Sequence, residues 1–261
     1  MKTIRSRDNP LLKHLVRLSG SSRERRLSGT TLLDGDHLIK AYVTADLGNL
    51  ELIAASESGI MRGDIAELME SAPARERAIL DDKLFAQISQ VTTPSGVLAA
   101  IRTPPAAAIP ERIMDAVFME GIQDPGNLGS ILRSALAAGI PEVYLSKASV
   151  FAWSPKVIRA AMGAHFFLLI HENVELDVVF SRAAGQIIAT RAQASESIFS
   201  ADLRGPAIWL FGNEGAGLSE DAQRAASLQL AIPMAGQTES LNIAASAAIC
   251  LFEQARQRQS R

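Results

Sequence analysis

Phe211-Gly-Asn-Glu-Gly-Ala-Gly-Leu-Ser219, Ile232-Pro-Met-Ala-Gly236 and Glu239-Ser-Leu-Asn242 lie close together near the end of a 261-residue chain. Each glycine-bearing loop follows an apolar, strand-like run (Ala207–Phe211, then Leu228–Ile232). Each precedes a run with helical spacing (Glu220–Ala226, then Leu241–Gln257). In an open α/β sheet, loops at strand ends bring backbone N–H and C=O groups against a small ligand. A phosphate-binding P-loop needs Gly-Lys-Ser/Thr, which this chain lacks. A dinucleotide fingerprint needs a third glycine and a first-strand position, and Gly215-Ala-Gly217-Leu-Ser-Glu220 has neither. The two loops therefore indicate a small-molecule site of another kind, placed late in its domain.

Reading outward, further strands are expected at Ala116–Met119, Val143–Leu145, Phe166–Ile170 and Ile187–Thr190. Helices are expected at Leu128–Ala138, Pro155–Met162 and Leu176–Ala184. Runs such as Ala-Ile-Trp-Leu-Phe211 are apolar throughout rather than alternating, as in strands of a parallel sheet covered on both faces. In the last helix, Leu241, Ala244, Ala245, Ala248, Phe252 and Ala255 form one apolar stripe, suited to its own sheet or to a second subunit. Upstream, the three prolines of Thr103-Pro-Pro-Ala-Ala-Ala-Ile-Pro110 break both periodicities and mark a linker, taken as 103–111. Before it, strand-like runs at Thr31–Leu33, Leu50–Ala54, Ala78–Leu80 and Gly96–Ile101 alternate with helical ones at His37–Thr44, Ile65–Met69 and Asp82–Ser89. A first helix, Asn9–Leu18, has Pro10 in its first turn. The division is a small α/β module over 1–102 and a parallel-sheet domain over 112–261.

Composition sets limits. With 48% apolar and 21% charged residues the chain can build two cores. No apolar run reaches the roughly 18 residues of a membrane span, and the N-terminus lacks a signal-peptide core, so a cytoplasmic protein is expected. The single cysteine, Cys250, excludes an internal disulfide and a cysteine-cluster metal site. His14, His37, His165 and His171 show no ligand spacing, and no metal is expected. The formal charge is −2, yet Lys2, Arg5, Arg7, Lys13, Arg17, Arg23, Arg25 and Arg26 crowd the N-terminus, and Arg256, Arg258 and Arg261 close the chain. Such clusters either engage phosphates or simply stay solvated.

A third segment carries chemistry: Glu120-Gly-Ile-Gln-Asp-Pro-Gly-Asn-Leu-Gly-Ser-Ile-Leu-Arg133. A strand ends, a Pro-Gly turn follows, and Asn127 is placed to cap a helix bearing Arg133. Arg133 adjoins an apolar run near the strand ends, where a guanidinium suits a phosphate or substrate oxygen. Ser240 or Asn242 is placed to cap the last helix.

Asn127-x-Gly-x-x-x-Arg133, Gly212-Asn-Glu-Gly-x-Gly-Leu218, and Ile232-Pro-Met-x-Gly236 with Ser240-Leu-Asn242, in this order, resemble the SpoU/TrmH family of RNA ribose 2′-O-methyltransferases within the SPOUT superfamily. The likeness spans Ile113 to Gln254. Through Asn9-Pro-Leu-Leu-Lys13, Leu33-Asp-Gly-Asp-His37 and Thr93-Pro-Ser-Gly-Val97, the first module resembles the family's ribosomal-protein-like substrate-binding domain, with Asp34 and Ser95 where relatives commonly have Glu and Gln. The resemblance implies S-adenosylmethionine as cofactor, held in a deep C-terminal trefoil knot. It implies cofactor contacts at Gly212, Ile232 and Leu241, with Leu210 and Met234 close by. Arg133 matches the catalytic arginine, and Asn127, Glu214, Ser240 and Asn242 match polar residues that shape the site. A homodimer through the C-terminal domain is implied, and an RNA substrate, with ribosomal RNA ahead of tRNA. A non-catalytic RNA-binding protein of the same fold is the alternative; a nucleotide-dependent oxidoreductase is disfavoured by the glycine pattern.

Overall fold

A computed structural model of the chain describes all residues except Ala192, Gln193, Glu239, Ser260 and Arg261. Glu239 and Arg261, quoted above, therefore lie outside the described residues. By its internal contacts the chain divides into two compact units: Met1–Pro105 with Trp153–Phe166, and Ala106–Ala152 with the chain from Phe167 onward.

The first unit contains strands β1 (Lys2–Ile4), β2 (Thr30–Asp34), β3 (Leu50–Ser56), β4 (Ala74–Leu80) and β5 (Val97–Arg102). They form one mixed sheet in the order β1-β4-β3-β5-β2. Its helices are α1 (Pro10–Gly20), α2 (Ser22–Ser28), α3 (Asp36–Thr44), α4 (Gly63–Ser71) and α5 (Asp82–Phe85). The Asn9 side chain caps α1 by accepting from the Leu11 N–H, and Pro10 occupies the first turn, where its missing N–H costs nothing. Leu12, Leu15 and Leu18 then fall on one buried face against the sheet. β1 and α2 were not expected from the sequence. The short α5 replaces the longer helix expected to Ser89.

The second unit carries a seven-stranded sheet, parallel at every pairing. In chain order its elements are β6 (Ala116–Met119), α6 (Pro125–Ala137), β7 (Glu142–Leu145), β8 (Leu169–His171), α8 (Leu176–Arg182), β9 (Gln186–Thr190), β10 (Glu196–Ser197), β11 (Ala207–Phe211), α9 (Glu220–Ala225), β12 (Leu228–Ala231) and α10 (Ile243–Gln259). The sheet order is β10-β12-β9-β11-β6-β7-β8. Every residue of β6 and β11 is buried, as their unbroken apolar runs predict. Because β6, β11, β9 and β12 are neighbouring parallel strands, the loops after them leave at one end of the sheet.

The remaining helix, α7 (Pro155–Ala160), lies in the Trp153–Phe166 segment and packs on β2 of the first unit. Thr31 Oγ1 donates to the Trp153 carbonyl at 2.6 Å inside this contact. Tyr42 meets Phe166 edge-on with ring centroids 5.3 Å apart. The strand expected from Phe166 is shorter and later, because Ala164–Phe166 forms a 3-10 turn.

Of the two roles expected for the apolar stripe of α10, packing on its own sheet is not the one observed, because the stripe faces outward. The buried face is instead Ala247, Cys250, Leu251 and Gln254, while Phe252 is 50% and Leu241 37% exposed. A polar residue occupies the core face because the Trp209 indole N–H donates to Gln254 Oε1 at 2.8 Å, satisfying both groups. Burial pushes the Cys250 thiol up to about 12, in line with a packing role. Among the described residues, no helix is long and apolar enough to cross a membrane.

Candidate functional site

The loop after β6 and the loop after β11 are fastened together at three points. Asn213 Nδ2 donates to the Gly121 carbonyl at 2.8 Å, while its Oδ1 accepts from the N–H groups of Gly215 and Ala216 at 2.9 and 3.0 Å. Glu120 Oε2 accepts from the Ser219 N–H at 2.8 Å. Asn127 Nδ2 donates to Glu214 Oε1 at 3.0 Å. The glycine-rich loop also closes on itself, with Asn213 and Gly217 exchanging backbone bonds of 3.0 and 2.8 Å. Gly212 is required here because a Cβ at that position would stand 2.2 Å from the Gly217 carbonyl carbon and 2.3 Å from the Leu218 nitrogen.

The third motif joins through Asn242, whose Nδ2 donates to Asn127 Oδ1 at 3.0 Å. Its own Oδ1 accepts from the Ala244 and Ala245 N–H groups, so Asn242 rather than Ser240 caps α10. Asn127 does not cap α6. That role falls to Asp124, whose carboxylate accepts from the Asn127 N–H at 2.8 Å, with Pro125 at the first position. Freed from capping, the Asn127 amide bridges Glu214 and Asn242. A carboxylate can only accept, which fixes the amide orientation with Nδ2 toward Glu214. Partial burial pushes the Glu214 carboxyl up. The hydrogen bonds from Asn127 and from nearby backbone N–H groups outweigh this and hold it below its ordinary value.

Beside this network lies a cavity lined by Thr190, Arg191, Ile232, Met234, Ser240, Leu241 and Ser246. Four of the ten residues named from the sequence thus share one wall system, and three more, Asn127, Glu214 and Asn242, share one hydrogen-bond chain. Leu210 is fully buried in the core with Phe118 and Ile208, in register with Phe118 on one side and Ala189 on the other, and does not line the cavity. Gly212 follows directly on it and is also buried. Arg133 sits exposed on α6, without a hydrogen bond or ion pair among the described residues. α6 itself packs along α10. Thr190, Arg191 and Ser246 carry no motif signal; the sheet order, which puts β9 between β12 and β11, brings Thr190 and Arg191 here, and Ser246 comes with the first turn of α10.

The lining combines apolar side chains with hydroxyls and one cation, the mixture that fits a ligand with a flat apolar part and polar ends. No cluster of three or more metal-ligating side chains occurs among the described residues. His165 and His171 are buried, the latter stacked on Tyr144 with centroids 4.6 Å apart. The basic N-terminus is less free than its composition suggests. Arg25 is only 6% exposed and donates to the carbonyls of Leu18 and Ser19 at the end of α1. Arg5 pairs with Glu57, Lys13 with Asp8, and Arg17 with Glu24.

Residues 115–252 match the SpoU rRNA methylase family. An uncharacterised tRNA/rRNA methyltransferase of Synechocystis is 32% identical, the match covering 98% of this chain and 94% of that protein. The 23S rRNA (guanosine(2553)-2′-O)-methyltransferase RlmP of Bacillus subtilis is 28% identical, with 97% and 98% covered. The SpoU methyltransferase AviRb from Streptomyces viridochromogenes, solved in complex with AdoMet, is similar with a TM-score of 0.86 at 25% identity, covering 97% of this chain and 99% of that one.

Proposed function

The chain belongs to the SpoU rRNA methylase family, and from that premise we propose that it methylates a ribose 2′-hydroxyl of ribosomal RNA, with S-adenosylmethionine as methyl donor. The observation that carries this reading is the bridge Glu214–Asn127–Asn242, which ties three motifs distant in sequence into one wall beside the Ile232, Met234 and Leu241 cavity.

The cofactor, when bound, supplies a methyl group on a positively charged sulfur. What remains for the protein is positioning, which in well-oriented systems lowers a barrier by ~7–11 kcal/mol. Ile232, Met234 and Leu241 offer an apolar seat and Ser240 and Thr190 hydroxyls, while Gly212 lets the glycine-rich loop close on itself at Gly217 and Leu218. Arg133 is the candidate for the reacting ribose. A guanidinium stays charged in proteins and is a poor base. We therefore give it the role of holding the neighbouring RNA phosphate and stabilising negative charge growing on the 2′-oxygen, the proton leaving to water or a phosphate oxygen. Its exposure and lack of protein partners among the described residues support that role. Arg133→Lys keeps the charge and loses the fork, so turnover should fall steeply while cofactor affinity holds; near-normal turnover would refute the role.

The proposal extends to the rest of the family plan. The 1–102 module serves as the RNA-binding part, joined through 103–111 to a catalytic domain over 112–261 that ends in a trefoil knot. A homodimer through the C-terminal domain is supported by the exposed apolar residues Leu241, Ala245 and Phe252 at the start and on one face of α10. Work on ribosomal RNA would place the protein in the cytoplasm. Calorimetry with S-adenosylhomocysteine, followed by mapping of methylated riboses in RNA from cells with and without the protein, tests the whole reading. Binding together with the loss of one ribosomal methylation is the expected result; binding of neither cofactor product nor RNA would reject it.

A further inference from the structure

The cavity beside the bridge contains a charge that the three motifs do not account for. Arg191 immediately follows β9, with its N–H donating to the Leu230 carbonyl at 2.9 Å and its carbonyl accepting from the Ala194 N–H at 3.2 Å. Its backbone is thereby fixed next to β12, at the end of the sheet where ligands of parallel α/β folds bind. The Arg191 side chain is exposed and makes no hydrogen bond or ion pair among the described residues. Among those residues it is also the sole charged group lining the cavity. Thr190, Ser240 and Ser246, in the same lining, likewise have no hydrogen bond from their hydroxyls among the described residues.

A cavity with an apolar wall of Ile232, Met234 and Leu241 and one unengaged guanidinium selects a ligand with an apolar body and an anionic end. Resting on the cofactor reading above, we propose that Arg191 is a specificity-determining residue that holds the α-carboxylate of the cofactor's methionine moiety. That carboxylate is the cofactor's one anionic group. Its other charges, the sulfonium and the ammonium, are repelled by a guanidinium, so Arg191 fixes which end of the ligand lies toward β9. A carboxylate accepts from the arginine fork through two parallel bonds, a geometry that lysine does not offer.

Calorimetry with two probes tests this in the intact protein. S-adenosylhomocysteine carries the carboxylate, and 5′-methylthioadenosine is the same nucleoside thioether without the amino-acid end. Arg191→Gln should weaken S-adenosylhomocysteine about tenfold while changing 5′-methylthioadenosine by less than about twofold, and Arg191→Lys should fall between. An equal loss for both probes would make Arg191 a residue that shapes the cavity and would overturn the proposal. So would an unchanged affinity for both, or a loss confined to RNA binding. A wild-type protein that binds neither probe would instead remove the cofactor reading itself, a result readily told apart from a wild type that binds both and a variant that matches it.

Discussion

The Asn127–Glu214 bond allows a rescue experiment in which donor and acceptor are exchanged. Asn127→Asp removes the Nδ2 donor and sets a carboxylate oxygen against Glu214 Oε1, where the amide now stands at 3.0 Å. Glu214 is exposed, so the dielectric of water applies, and two unit charges at that separation repel by about 1.4 kcal/mol. The lost hydrogen bond adds about 1 kcal/mol. The bond from Asn242 survives, because an aspartate oxygen accepts from its Nδ2 as the amide oxygen does. The single variant should therefore lose roughly 2–3 kcal/mol. Adding Glu214→Gln reverses the pair: the glutamine amide donates to the new carboxylate, the repulsion disappears, and most of the loss returns. The four-protein cycle should give a coupling of roughly 2 kcal/mol, far above the few tenths typical of independent sites. The readout is urea unfolding in a Trp153→Phe background, so that Trp209 alone reports on the second unit, with turnover measured in parallel. If the double variant is no more stable than Asn127→Asp alone, the bridge does not exist in solution and the reasoning built on it fails.

The other predictions are shorter. Glu214 has a depressed folded-state value, so its contribution is present above the ordinary value of 4.5 and is lost as pH falls through the folded one; in urea titrations Glu214→Gln should flatten the acid limb of the wild-type curve, and an identical limb would contradict this. Gly212→Ala forces backbone apart on the far side of the loop and should cost ~1–3 kcal/mol and most cofactor affinity, whereas Gly215→Ala, whose nearest neighbour would be Asn213 Oδ1 at 3.5 Å, should be tolerated in both calorimetry and melting. Arg25→Glu buries a carboxylate against two carbonyls and should destabilise the first unit by ~3–5 kcal/mol. Arg23→Glu, on the exposed surface, should leave melting unchanged and reduce the salt slope of RNA binding by about one; equal melting losses in the two variants would refute the distinction.

Legibility from sequence followed the strength of the local signal. β6 and β11 emerge with the expected ends because each is an unbroken apolar run bounded by polar or turn residues. β1 has three residues with only Ile4 buried, and β10 has two, too short for any periodicity to register. At α6 the cap is Asp124 rather than Asn127: Asp124-Pro125 is itself a helix-start signal, but the glycine and asparagine that follow offer a competing one. At α10 the apolar count cannot tell which face meets the sheet, since a Gln254–Trp209 hydrogen bond is invisible until the strand and helix meet. The site divides the same way. Asn127, Glu214 and Asn242 were found through motif order, but Thr190 and Arg191 belong to no motif and reach the cavity only through the strand order. In sequence Arg25 is indistinguishable from its seven basic neighbours, and only packing turns it into a cap for the end of α1.

The Trp153–Phe166 segment has a consequence for how the chain is made. The first unit's β2 and α3 take α7, the Trp153 carbonyl and the Phe166 ring as neighbours, yet these arrive late in synthesis. When Pro105 has been added, the ribosome must still make the residues up to Phe166 before that unit can close. At ~5–20 residues per second this leaves a window of several seconds with an open apolar flank. Folding of the N-terminal part is therefore tied to progress through the catalytic part, and a nascent chain arrested near residue 110 should be protease-sensitive where one arrested well beyond 166 is not.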